Sequence, residues 1–249
     1  MTSPSKRSSS LNSIPPEILC EIFRYHLRVP PFPGIYLISP YEPRKHTLAI
    51  STTEDDRYGL YSPILLGLVC RGWRDITVKC PTLWAAMVFQ NPLPGHARLA
   101  SLWIARSGAV PLDITIFDRP TTRGKSGALT IATLLAEHSE RWEALRVCSD
   151  AQSDLGEELL ADLIKAVGSG FPFLNRVEFS LPDKEGSSQS ELISLISQKA
   201  PGLDEIGMDY PYPQDSIWSA SAAKEALASL RSLTLRNATL EADFRTFLQ

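Results

Sequence analysis

The chain has 249 residues, 43% hydrophobic and 21% charged, with a net charge of −3. This composition fits one or two packed domains and excludes global disorder. The longest apolar stretch, Ile64 to Cys70, falls far short of the roughly 20 residues a membrane span needs, which excludes a helical membrane protein.

Residues 1–10 are polar and Ser-rich, with Lys6 and Arg7 and no following apolar h-region, so they predict a disordered N-terminus rather than a secretory signal. An apolar-periodic segment follows from Ile14 to Leu27. Ile18, Leu19, Ile22 and Phe23 share one stripe at helical spacing, Pro15 and Pro16 sit where a first turn tolerates them, and Glu17 suits the positive end of the helix dipole. Residues 28–61, with five prolines and the charged run Glu54-Asp55-Asp56-Arg57, predict a long loop or partly disordered insertion. Ser62-Pro63 supplies an N-cap and a first-turn proline for a second helix, Ile64 to Arg71, and a third runs from Trp73 to Val78. Cys80-Pro81 ends it, and Leu83-Trp84 opens an apolar stretch to Phe89.

Asn91 to Gly95 predicts a turn or linker, Leu99 to Arg106 a helix, and Pro111 to Ile116 a strand. Beyond this the chain repeats. Trp142-x-x-Leu145-x-Val147, Leu174-x-x-Val177-x-Phe179, Leu203-x-x-Ile206-x-Met208 and Leu230-x-x-Leu233-x-Leu235 share one apolar template at intervals of 32, 29 and 27 residues. Each follows an apolar helical segment, at Leu129–His138, Leu159–Val167, Leu192–Gln198 and Ala222–Ala228. Helix, short turn and L-x-x-L-x-L strand at this period predict an irregular leucine-rich solenoid, with an ordinary α/β layer domain as the competing reading.

The net charge hides an asymmetry. Residues 1–127 carry 15 Lys+Arg against 9 Asp+Glu, and residues 128–249 carry 10 against 19, so the halves face different partners or are simply solvated differently. Neither half has a dense basic run with interleaved aromatics, so no nucleic-acid partner is expected, and no membrane partner either. Cys20, Cys70, Cys80 and Cys148 form no C-x-x-C pair, which suits reduced thiols in a cytoplasmic or nuclear protein.

Motifs that would carry chemistry are incomplete. Arg123-Gly124-Lys125-Ser126 has the end of a phosphate-binding loop but Arg119 where the earlier glycine belongs, so it reads as a solvated loop. His26, His46, His96 and His138 have no companions at metal-ligand spacing, and Glu54-Asp55-Asp56 reads as a solvated triplet. Asn237-Ala238-Thr239 matches a glycosylation triplet that a chain without a secretory signal does not use. No catalytic, cofactor or metal site is expected, and the chain reads as a non-enzyme.

Ile14-Pro15-x-Glu17-Ile18-Leu19-x-x-Ile22-Phe23, then Leu65-x-x-Leu68-Val69-Cys70-Arg71-x-Trp73-Arg74-x-Ile76, and then Leu83-Trp84, together resemble the F-box. The long Pro-rich insertion, the Cys80-Pro81-x-Leu83-Trp84 ending and the segment Trp103-x-x-Arg106-Ser107-Gly108-x-x-Pro111-Leu112-x-Ile114 resemble, more narrowly, fungal F-box proteins. Ile14 replaces the usual leucine before the proline. The resemblance implies an α+β fold: a three-helix F-box over residues 11–90, with its insertion, then a leucine-rich-repeat-like region over 91–249 that ends as though truncated. It implies a substrate-recognition adaptor of an SCF-type ubiquitin ligase. In such an adaptor the F-box binds a Skp-family linker protein and through it a cullin, and the repeats hold a protein substrate. A scaffold that binds the linker without a degradative role is the alternative.

The linker-binding residues so implied are Ile14, Pro15, Ile18, Leu19, Ile22, Phe23, Leu65, Leu68, Val69, Cys70, Trp73, Leu83 and Trp84. Three short helices cannot cover that much apolar surface alone, so part of it serves a partner. In the repeat strands, alternate residues face away from the apolar side. They are Arg146 and Cys148, Glu178 and Ser180, Gly207 and Asp209, and Thr234 and Arg236. Of these, Arg146, Glu178, Asp209, Thr234 and Arg236 are the candidate substrate-binding residues.

Overall fold

Apolar segments of helical period alternate along the chain with short runs of strand period, and the computed structural model turns each into an element of a mixed α and β fold. The structure describes residues 14–27, 49–51, 63–90, 92–118, 127–149, 157–168, 170–180, 189–209 and 230–236. Three helices come early: α1 (Pro16–Leu27), α2 (Pro63–Val69) and α3 (Arg71–Lys79). Four more alternate with strands: α4 (Ala97–Ser107), α5 (Ala128–Ala136), α6 (Glu157–Ala166) and α7 (Gln189–Lys199).

The strands are β1 (Ala49–Ser51), β2 (Ala86–Gln90), β3 (Leu112–Asp118), β4 (Trp142–Ser149), β5 (Arg176–Ser180), β6 (Glu205–Asp209) and β7 (Ser232–Arg236). They form one seven-stranded sheet in which every neighbour is parallel and spatial order equals chain order. A parallel pair needs a crossover between its strands, and from β3 to β6 the helices α5, α6 and α7 supply it.

One face of the sheet carries the core. Met87, Phe89, Leu112, Ile114, Ile116, Leu145, Val147, Val177, Phe179, Ile206 and Met208 are all buried in one cluster with residues of the helices, such as Ile131, Leu135, Ile164 and Ile196. Among the described residues no helix packs on the opposite face.

The template foreseen at Trp142, Leu174, Leu203 and Leu230 starts earlier than expected. Trp84-x-x-Met87-x-Phe89 obeys it, and Leu112 pairs with Trp142 in the β3–β4 register. The expected division at residues 90 and 91 therefore falls between β2 and β3 of one sheet. The insertion is not all loop either, because β1 lies within it and pairs with Val88–Gln90 of β2. The rest of that insertion, the Arg123–Ser126 segment, the expected Ala222–Ala228 helix and the glycosylation triplet lie outside the described residues.

Two kinds of contact join successive units. The buried indoles of Trp84 and Trp142 donate from Nε1 to the carbonyls of Thr77 (2.7 Å) and Leu135 (3.0 Å), each seven residues back at the end of the preceding helix. Each carbonyl also accepts a backbone N–H at the helix end, from Cys80 at 3.4 Å and from His138 at 2.9 Å, so the Trp adds a second donor to a terminal acceptor while filling the core. The second kind reaches further. Arg141 donates to the Val110 carbonyl and to Ser107 Oγ just past α4, and Lys199 Nζ donates to the carbonyls of Ile164, Lys165 and Val167 at the end of α6. A cation at the negative end of a helix is the favourable placement. Gly170, with φ +70°, lets the chain turn beneath this clamp: its Cα lies against the Lys199 carbonyl, where a Cβ would stand 2.9 Å from the oxygen.

Candidate functional site

Two surfaces carry the residues singled out from the sequence. The first is the helical unit α1–α3. Leu19, Phe23 and Leu27 of α1 are buried against Leu83 and Trp84, and the Phe23 ring meets Trp73 with centroids 4.6 Å apart. Trp84 is fully enclosed; Trp103 packs edge-on at 5.0 Å, and the Arg106 guanidinium lies 4.4 Å from the ring centroid. Such a cation–aromatic contact adds about 0.5–2 kcal/mol, depending on desolvation.

The other half of the expected set points outward. Ile18 and Ile22, one helical turn apart, are 52% and 49% exposed, and Tyr25 extends their stripe. On α2, Leu68 and Val69 are 64% and 62% exposed, with Ile64 one turn before Leu68. Pro15 and Cys70 are exposed as well, while Ile14, Leu65 and Trp73 are half-buried. The thirteen residues therefore separate: Leu19, Phe23, Leu83 and Trp84 are core, and Pro15, Ile18, Ile22, Leu68, Val69 and Cys70 are surface. The sequence reading missed Tyr25 and Ile64; their spacing from Ile22 and Leu68 was the available signal.

Cysteines mark the same division. Cys70 caps α3, its Sγ accepting the Trp73 amide at 3.5 Å. The Cys20 thiol is pushed up to about 12 by burial and by a hydrogen bond with Cys80.

The second surface is the helix-free face of the sheet. Register aligns Val88, Thr115, Arg146, Glu178, Gly207 and Thr234 across it. Arg146 and Glu178 were expected to face solvent. They are buried instead: Arg146 Nε donates to Glu178 Oε2 at 2.9 Å and Nη1 to Thr115 Oγ1 at 3.5 Å. Desolvation pulls the Arg146 guanidinium below its ordinary range, opposed by the Glu178 charge. Gly207 makes room for this pair, since a Cβ there would stand 2.8 Å from Glu178 Cγ. Cys148 and Ser180 are also buried, which corrects the expectation of an exposed row. Thr234 is exposed as expected, and the side chains of Asp209 and Arg236 lie outside the described residues.

The adjacent row aligns Ala86, Asp113, Ala144, Arg176, Glu205 and Ser232. Arg176 Nε donates to Glu205 Oε2 at 2.6 Å; this bond holds the Glu205 carboxyl below its ordinary range and raises the Arg176 guanidinium. Burial pushes the Asp113 carboxyl upward, against the pull of Arg146 and Arg176. Nothing in the sequence reading had singled out Asp113, Arg176 or Glu205.

Among the described residues no group of three or more metal-ligating side chains converges. The cavity between sheet and helices, lined by Ile114, Leu135, Trp142, Leu145, Val147 and Leu160, is wholly apolar. No family model, curated protein or solved structure matches the chain. What these two surfaces offer chemically is contact: one apolar and outward, one polar and ion-paired.

Proposed function

We propose that the chain is an F-box-type adaptor that brings a protein substrate to an SCF-type ubiquitin ligase in the cytoplasm or nucleus and performs no chemistry of its own. Helices α1–α3 dock on a Skp-family linker protein, which connects them to a cullin. The sheet and its helices form an irregular leucine-rich-repeat solenoid whose helix-free face receives the substrate. The adaptor acts by proximity, raising the effective concentration of substrate lysines near the loaded conjugating enzyme.

The observation that carries this reading is the division within the helical unit. Its buried residues already close a core, so the outward Ile18, Ile22, Leu68 and Val69 are not needed to hold the fold together. Large apolar side chains on two short helices, left in water, mark a surface that a partner covers. The strand order, the helices on one face and the 27–32-residue period support the repeat reading.

Capture of a Skp-family linker by the tagged full chain tests the proposal. Ile18→Asp with Leu68→Asp places charges on exposed positions, so the fold survives while capture falls at least about tenfold. Unchanged capture by that pair, with far-UV circular dichroism like wild type, sinks the docking claim. Trp73 is the poorer target, since it packs on Phe23 and its loss disturbs the core.

A further inference from the structure

Asp113 is the carboxylate on the helix-free face whose position the fold does not explain. It stands between Ala86 and Ala144 in register, two half-buried side chains too short to cover it. Beyond Ala144 the row continues with Arg176, and the buried row of Thr115, Arg146 and Glu178 runs beside it, so the neighbours flanking Asp113 in its own row are both alanines. Arg146 is engaged with Glu178 and Thr115, and Arg176 with Glu205. Among the described residues no group donates a hydrogen bond to the Asp113 carboxylate; the two arginines reach it only through their field. Among the described residues, Arg146 and Arg176 favour the charge on Asp113, and Glu143 and Glu178 oppose it.

We infer that Asp113 binds a cationic side chain, arginine or lysine, of a polypeptide lying on the helix-free face of the sheet. This rests on the reading of that face as the substrate surface. The alanines on either side leave width for a guanidinium or ammonium to approach, and a charge-assisted bond there satisfies a carboxylate that the protein itself leaves without a donor. A half-buried, desolvated carboxyl gains more from such a partner than a solvated one. The same geometry rejects an acidic side chain, which would meet Asp113 with Glu178 and Glu205 nearby.

The test is an NMR titration of the full chain, carboxyl-labelled at aspartate, with N-acetyl-arginine methylamide and with its neutral isostere N-acetyl-citrulline methylamide. The arginine probe shifts the Asp113 carboxyl saturably in the millimolar range and moves its titration to lower pH, and the citrulline probe binds at least about tenfold more weakly. Asp113→Asn, close in shape to the wild type, loses the arginine preference. Ala144→Leu crowds the Asp113 carboxyl without changing any charge and weakens the arginine probe alike. An unshifted Asp113, equal shifts from both probes, or an arginine preference that survives Asp113→Asn overturns the inference. Linker capture by the same variants reports on a separate surface. Loss of the arginine effect with capture intact therefore condemns the Asp113 site alone, and absence of wild-type capture with the arginine effect intact condemns the adaptor reading on which the site was argued.

Discussion

The helical unit and the sheet use the same apolar residue types and treat them oppositely. In the sheet, every described apolar residue on the core face of β2 to β6 is buried, and the other face mixes Val88, Phe117 and Cys148 with the ion pairs Arg146–Glu178 and Arg176–Glu205. In α1 and α2, half of the large apolar side chains are outside. Each of β2 to β5 is followed by a helix that packs on the core, whereas two short helices have too little neighbour to cover both of their faces. What sets the α1–α2 surface apart is therefore not hydrophobicity but its excess over what the core consumes.

The strongest way to break this comparison is to attack the residue shared by both regions. Trp84→Ala empties the junction between α3, Trp103 and β2 and costs about 3–5 kcal/mol, read as a lowered midpoint in denaturant unfolding. Both regions lose stability together. A loss confined to the helical signal would show that the two fold separately.

Arg146→Met alone strands a buried Glu178 charge and costs about 3–5 kcal/mol, whereas Arg146→Met with Glu178→Met recovers most of that loss. A double-mutant cycle on thermal unfolding measures it; equal costs for single and double variants would mean that the pair is solvated rather than buried.

pH separates the two carboxylates of the neighbouring row. The Asp113 carboxyl is raised, so its charged form destabilises the fold at neutral pH, and the penalty disappears as pH falls through its folded titration. Asp113→Asn is then more stable than wild type at pH 7, and the two converge in acid. Glu205 is lowered, so its contribution exists above the ordinary carboxylate range and is lost as pH falls through its folded titration. With both partners more than a third exposed, Glu205→Gln costs less than about 1 kcal/mol at pH 7. Unfolding curves at several pH values check both signs.

The smallest effect sharpens the comparison most. Ile22→Ser on the exposed stripe changes stability by no more than about 0.5 kcal/mol, while Leu19→Ser three residues earlier unfolds the unit.

Much of the sheet was legible because L-x-x-L-x-L fixes both strand direction and the face it buries. β4 to β7 begin at or within two residues of the template starts. β2 escaped because the sequence reads Leu83 to Phe89 only as an apolar stretch, although the spacing of Trp84-x-x-Met87-x-Phe89 is that of Trp142-x-x-Leu145-x-Val147. β1 escaped because three residues in a Pro-rich stretch carry no periodicity; only the β2 edge makes Ala49–Ser51 a strand. Alternation correctly placed Arg146 and Glu178 on the helix-free face but not their burial, since they meet across 32 residues of chain. Asp113 was hidden for a related reason. Its meaning lies in Ala86 and Ala144, which become its neighbours only when three strands align.

The backward clamps have a consequence for synthesis. Arg141 closes the chain just past α4, and Lys199 closes the end of α6 more than 30 residues upstream of itself. A helix emerging from the ribosome therefore waits, its last carbonyls turned to water, until the next unit has been translated. At 5–20 residues per second, that delay is on the order of 2–6 s for each unit. During it, the ends of α4 and α6 stay open to water, and each closes only when the unit that carries its cation has been made.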